Sequence, residues 1–221
     1  SMRFAVLSKS SSGNTQRSVN FRPLASMQPW RRSRGITAFR AAKRAAKLLY
    51  PGTYCVLIGI GGLGHIALQF LNAWGCEVTA FTSSDAKREE ALQLGAHRTL
   101  NSRDPAELEA AAGSFDFIIS TVNVKLDWDL YVNTLKPRGR LHFVGATLEP
   151  LDLGVFPLLM GQRSVSGSPV GSPATIEQML AFAKLHDIKP QVELFAMSDI
   201  NAALDHLRSG KARYRVVLSN E

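Results

Sequence analysis

A chain of 221 residues with 45% hydrophobic composition is long enough to bury one substantial core and a small second one. No window approaches the roughly 18 consecutive apolar residues of a membrane helix, and the early run "FAVLS" is too short for the centre of a signal peptide, so a cytoplasmic protein with no membrane partner is expected. The formal charge of +8 is concentrated at the front: the first 76 residues hold eleven basic and no acidic side chains, which reads as a solvated tail, with a targeting segment or a nucleic-acid arm as alternatives. No nucleic-acid recognition module accompanies that charge, so a nucleic-acid partner is not expected.

Residues 1–34 form a basic arm with one strand-like run, "RFAVLS", followed by polar turn and linker chemistry, and little packed structure is expected there. From Gly35, "ITAFRAAKRAAKLL" places Ile36, Phe39, Ala42, Ala46 and Leu49 at helical spacing, and Pro51–Gly52 ends the helix. "YCVLIG" is a continuous apolar run, as in a strand covered on both faces. Leu63, Ile66, Ala67, Phe70, Leu71 and Trp74 then follow helical spacing, and "EVTAFT" closes a βαβ unit. The next helix runs through "DAKREEALQL" and stops at Gly95, ahead of a short strand around "HRTL". "DPAELEAAAG" has Asp104 as N-cap and Pro105 at the first helical position. "FDFIIST", "RLHFVG" and "RSVSGS" are later strands, with helices from about Asp127 and Val155 between them. Beyond Gly171 come two amphipathic helices and a closing strand, "ARYRVVLS". Strands alternating with helices predict an α/β fold, a doubly wound parallel Rossmann sheet over residues 35–171, with a separate C-terminal portion over 172–221.

Gly59, Gly61 and Gly64 form G-x-G-x-x-G between a strand and a helix, with Gly62 and Leu63 inside the loop. Such glycines allow a tight turn, close approach of a diphosphate to the backbone, and close packing of helix on strand. The following helix N-terminus adds amides and a favourable dipole for the phosphates. In an NAD site the second strand usually ends in an acid that pairs with the adenine ribose and repels a 2′-phosphate. Here that position is Thr82, followed by Ser83 and Ser84, with Lys87 and Arg88 one turn on. Three hydroxyls and two cations at a helix start read as a phosphate pocket, so NADP(H) is expected over NAD(H). Asp85 lies beyond the strand end and is not read as the ribose acid.

"GIGGLGH", "AFTSSDAKREEALQLGA", "FDFIISTV", "LKPRGRLHFVG", "RSVSGSPVGS" and "GKARYRVVL" together resemble the zinc-dependent medium-chain alcohol dehydrogenases, in particular the cinnamyl alcohol dehydrogenase-like, NADP-dependent aldehyde reductases. The resemblance runs from about Gly35 to the C-terminus, and implies that residues 172–221 are a C-terminal remnant of the catalytic domain, the helices and strand that in the family pack on it. It implies that Ser120, Thr121 and Val122, then Val144, Gly145 and Ala146, meet the cofactor after the fourth and fifth strands. It also implies that Ser166, Gly167 and Ser168 sit near the nicotinamide end, that Arg215 is the basic residue of the terminal strand, and that two subunits pair through "RSVSGS" as a homodimer.

Family members carry a GroES-like domain with the zinc ligands and proton relay, and no stretch of this chain resembles it. Where the family has a cysteine ligand before "GITAF", this sequence has Ser33, which does not bind zinc as a thiolate does. Zinc is therefore expected for the family and not for this chain. Cys55 and Cys76 have no C-x-x-C spacing, and a disulfide framework is not expected. His65 reads as a group that caps or packs at the first helical turn, and His97, His142, His186 and His206 as scattered packing or surface residues, so no catalytic or metal residue is assigned. The reading is the NADP-binding portion of a zinc-type alcohol dehydrogenase or aldehyde reductase, not active alone. A zinc-independent quinone or enone reductase, or a non-catalytic nucleotide-binding regulatory protein, are the alternatives.

Overall fold

The computed structural model describes residues 3–7, 22–23, 37, 39–40 and 51–220. Six strands form one parallel sheet: β3 (Tyr54–Ile58), β4 (Glu77–Thr82), β5 (Arg98–Asn101), β6 (Phe115–Ser120), β7 (Leu135–Phe143) and β8 (Ser164–Gly167). Their spatial order is β5-β4-β3-β6-β7-β8, every pair parallel. This is the doubly wound Rossmann arrangement expected from the sequence. The order reverses between β3 and β6, which opens a crevice at the carboxyl ends of those strands.

The apolar run of β3 has its reason in the two faces it covers. Cys55 and Leu57 belong to a core shared with α1 (Gly64–Ala73) and α6 (Pro173–Leu185), while Val56 and Ile58 belong to a core shared with α3 (Pro105–Ala110) and α4 (Trp128–Asn133). Alternate residues point to opposite faces, so a strand buried on both has no polar position to spare. Cys55 and Cys76 are both buried and free.

Helix termini follow the local chemistry. Asp104 and Asp127 accept backbone N–H bonds as N-caps of α3 and α4, and Ser172 does so ahead of Pro173. Gly95 follows α2 (Ala86–Gln93) with φ +106, and Gly210 follows α7 (Ile200–Ser209) with φ +75. α5 (Val155–Gly161) lies between β7 and β8. Thr37, Phe39 and Arg40 are helical, and Phe39 packs in an aromatic cluster with Phe70, Trp74 and Phe182; Ile36, Ala42, Ala46 and Leu49 lie outside the described residues, as does Ser33.

A second sheet has the order β2-β1-β10-β9, made of β1 (Arg3–Leu7), β2 (Arg22–Pro23), β9 (Val192–Ala196) and β10 (Arg215–Ser219). The run "RFAVL" is thus a paired strand, antiparallel to β10 with Phe4 opposite Ser219. Little packed structure was the sequence expectation for that arm, and this pairing departs from it. β9, which no alternation in the sequence advertised, runs parallel to β10. α7 covers one face of this sheet through Ala203 and Leu207 against Val216 and Leu218.

Candidate functional site

A cleft of about 790 Å³ lies at the carboxyl ends of β3, β4, β6 and β7. Such crevices at the strand-order reversal are where ligands bind in open α/β sheets. Of the residues singled out in the sequence, Gly59, Gly61, Gly62, Leu63, Thr82, Ser83, Lys87, Thr121, Val122, Val144, Gly145, Ala146 and Arg215 line it.

The loop from Gly59 to Gly64 turns directly out of β3. Gly59 has φ +91, and a side chain there would meet Val122 Cγ1 at 2.5 Å. A Cβ on Gly64 would come within 2.0 Å of the Gly59 carbonyl oxygen, so only glycine lets α1 start this close to the strand. Gly61 differs: its missing Cβ faces open space, with no atom within 4 Å. That opening is what a diphosphate needs to reach the loop amides.

Thr82 ends β4 with 3% exposure, and its Oγ1 is buried without a hydrogen-bond partner among the described residues, as is Ser120 Oγ at the end of β6. Buried hydroxyls left unpaired are uncommon and invite a ligand partner. Ser83 is exposed beside Thr82, and Ser102, which the sequence reading did not single out, joins the lining through a Ser102 N–H to Thr82 carbonyl bond of 2.8 Å. Lys87 lines the cleft and makes no ion pair with a described residue. Arg88 is committed elsewhere, 3.1 Å from Asp85 and 3.6 Å from Glu107. Neither Arg88 nor Ser84 is in the lining, and the Asp85 side chain is 95% exposed and paired with Arg88. A donor set of hydroxyls and one lysine, with no carboxylate at the strand end, fits a dinucleotide that carries a ribose phosphate.

Ser166, Gly167 and Ser168 lie along and just beyond β8, outside the lining. Both serines are bonded to one imidazole: His142 Nδ1 lies 2.8 Å from Ser166 Oγ and His142 Nε2 lies 2.9 Å from Ser168 Oγ. Two residues further on, Val170 does line the cleft, and its carbonyl accepts a 2.9 Å bond from Arg40. Arg215, only 5% exposed, reaches from β10 and donates to the Gly62 carbonyl. Arg213 also lines the cleft and is ion-paired with Glu90 of α2 at 3.0 Å.

His97, His186 and His206 are occupied by contacts with nearby groups. His97 Nδ1 accepts the Val78 N–H at 2.9 Å, His206 pairs with Glu193 at 2.5 Å, and the His186 ring lies 4.2 Å from Phe182. Among the described residues no group of three or more His, Cys, Asp or Glu side chains is placed to hold a metal ion. Among the same residues no helix is long and apolar enough to cross a membrane.

The chain is 63% identical to aldehyde reductase AdhA of Synechocystis over 186 residues, which is 84% of this chain and 55% of that protein. Among solved structures, a cinnamyl alcohol dehydrogenase of Sorghum bicolor superposes with a TM-score of 0.79 at 38% identity, covering 84% of this chain and 53% of that one. The Helicobacter pylori cinnamyl alcohol dehydrogenase complexed with NADP(H) superposes with a TM-score of 0.73 at 31% identity, covering 84% and 52%. The chain spans about half the length of the curated relatives it matches. The zinc-binding dehydrogenase family matches residues 62–184, from inside the glycine loop to the end of α6 and over more than half of the sequence. On that match, the sheet order and the glycine loop together, the chain belongs to the zinc-binding dehydrogenase family of medium-chain oxidoreductases.

Proposed function

We propose that this chain is the NADP(H)-binding portion of a zinc-type alcohol dehydrogenase or aldehyde reductase, working in the cytoplasm. The observation that carries the cofactor choice is the set Thr82, Ser83 and Lys87 lining one cleft, a hydroxyl and a cation without partners among the described residues, with no acid at the end of β4. Lys87 and Ser83 hold the 2′-phosphate, and Thr82 Oγ1 bonds the ribose. The loop amides from Gly59 to Gly64 take the diphosphate, with Arg215 beside them. The loops after β6 and β7, Thr121–Val122 and Val144–Ala146, flank the nicotinamide arm, and Ser166–Ser168 support it through the segment leading to Val170.

When bound, NADPH supplies a hydride to an aldehyde carbon. Residues 35–171 bind and orient that donor, residues 172–221 add α6 to the core of the same sheet and then supply β9, α7 and β10 of the second sheet, and residues 1–34 are the basic arm. In this reading zinc and the groups that polarise the carbonyl come from outside this chain, and the chain alone binds NADPH without turning over aldehyde.

The chain pairs with a second copy of itself. β8 is the sheet edge, and next to it α5 exposes Val155, Phe156, Leu159 and Met160 at 65%, 71%, 69% and 72%. An open edge beside an apolar helix is a surface that needs a partner.

Titration of the full chain with NADPH and NADH tests the cofactor reading. A charge-assisted bond is worth about 1.5–3 kcal/mol, so Lys87→Ala should weaken NADPH roughly 10- to 100-fold and leave NADH nearly unchanged. Combined with Thr82→Asp it should reverse the preference. Equal affinity of the unmodified chain for both dinucleotides would reject the assignment.

A further inference from the structure

Three carbonyls of the glycine loop are held by side chains from three different parts of the chain. Thr121, after β6, donates its hydroxyl to Gly59 O at 2.7 Å. Arg215, on β10, donates to Gly62 O. His65, in the first turn of α1, donates Nδ1–H to Gly61 O at 3.0 Å, where its own backbone N–H also arrives at 3.1 Å. In a planar trans peptide the C=O of one residue and the N–H of the next point in opposite directions. Holding the carbonyls of Gly59, Gly61 and Gly62 therefore aims the amides of Ile60, Gly62 and Leu63, the groups an anion at this loop would use.

His65 does more than hold one carbonyl. Its ring is 0% exposed and stacks on Tyr214 with centroids 4.6 Å apart and 11° between planes. Its Nε2 accepts the Gln191 N–H at 3.3 Å, across 126 residues. With Nδ1 donating to a carbonyl and Nε2 accepting an amide, the ring is neutral with its proton on Nδ1. One turn along α1, Gln69 grips the same segment: its Nε2 donates to Lys189 O at 3.1 Å and its Oε1 accepts the Lys189 N–H at 3.3 Å. Tyr214 N–H in turn reaches Gln191 O at 3.4 Å.

We infer that His65 is a positioning residue that makes the diphosphate-binding geometry of the glycine loop depend on the docking of residues 189–215. The imidazole is the joint: one nitrogen sets Gly61, the other holds Gln191, and its face carries Tyr214. The C-terminal segment is then part of the dinucleotide site from behind, in addition to contributing Arg215 at its front. This inference rests on the dinucleotide reading of the cleft for its ligand, and on the observed contacts alone for the coupling.

The test uses the full chain, with His65→Leu, His65→Asn and Gln69→Leu, and three readouts. Backbone amide NMR of the unliganded protein reports the coupling without any cofactor: His65→Leu should raise hydrogen exchange at Gln191 and Tyr214, and both leucine variants should shift the amide resonances of Gly62 and Leu63. NADPH binding reports the loop, and His65→Leu should weaken it about ten-fold. Adenosine 2′-monophosphate reports only the ribose-phosphate corner and should change less than about two-fold. His65→Asn keeps a donor near the Nδ1 position and should recover most of the NADPH affinity. Gln69→Leu loosens residues 189–191 without touching the loop, and should also weaken NADPH; it decides the matter if His65→Leu does not fold. Unchanged Gly62 and Leu63 amide resonances in Gln69→Leu, a substitution remote from the loop, would overturn the inference. So would equal losses of NADPH and adenosine 2′-monophosphate, which mean a general loss of structure. If the unmodified chain binds neither ligand, the dinucleotide reading falls, and the amide spectra still judge the coupling.

Discussion

His65 also gives the protein an acid-sensitive stability that can be measured directly. Burial, reinforced by the positive charge of nearby Arg215 and opposed by the bond to the Gly61 carbonyl, lowers its pKa from 6.5 to about 4. The folded ring stays neutral while the unfolded chain takes up a proton as the pH falls past 6.5. The stabilisation is therefore fully present above pH 6.5 and drains away down to about pH 4, where the folded ring protonates too and the loss levels off. For this shift the linkage relation gives a loss of about 2 kcal/mol at about pH 5, rising toward about 3 kcal/mol near pH 4. Urea unfolding of the unmodified chain and of His65→Asn at about pH 7.5, 6 and 5 isolates the term, because every other titrating group is common to both. The unmodified chain should lose about 2 kcal/mol more than the variant between the first and last of these. Parallel pH profiles, agreeing within about 0.5 kcal/mol, would show that the ring is not buried neutral and would refute the reasoning.

The glycines of the loop should separate by role. Gly61→Ala, with open space around its Cβ, should keep the melting temperature and lose NADPH binding, whereas Gly59→Ala, at φ +91 and 2.5 Å from Val122 Cγ1, should destabilise the fold by roughly 1–3 kcal/mol. Arg88→Ala should leave NADPH affinity within about two-fold of the unmodified chain, because Arg88 is spent on Asp85 and Glu107, and calorimetric titration beside Lys87→Ala checks the contrast. Phe156→Glu with Met160→Glu should turn a dimer into a monomer by light scattering, with secondary structure unchanged by circular dichroism. Metal analysis of the purified chain should find no stoichiometric zinc, and one tightly held zinc per chain would count against the assignment of the carbonyl-polarising groups to another part of the enzyme.

Much of the Rossmann half is written in local pattern. A strand buried on both faces must be apolar throughout, as Cys55 to Ile58 are, and a tight strand-to-helix turn must be glycine where a Cβ would strike Val122 or the Gly59 carbonyl. The missing acid at Thr82 is equally local, since it follows from counting along one βαβ unit. What sequence could not separate was Lys87 from Arg88. Adjacent residues on a helix point about 100° apart, and only the positions of Asp85 and Glu107 decide which of the two cations is free to face the cleft.

The second sheet and the back of the site belong to tertiary structure alone. β1 finds its partner at the opposite end of the chain, pairing Phe4 with Ser219, and β9 carries no alternation strong enough to announce itself. His65 could be read from sequence as a residue at a helix start, but the amide it holds is 126 positions away. Periodicity and turn chemistry report on neighbours within a few residues, because they arise from backbone geometry and local burial. Which distant segments share a hydrogen bond is settled only when the whole chain packs. The sequence by itself therefore determined the sheet and the glycine loop, and folding decided what holds that loop in place.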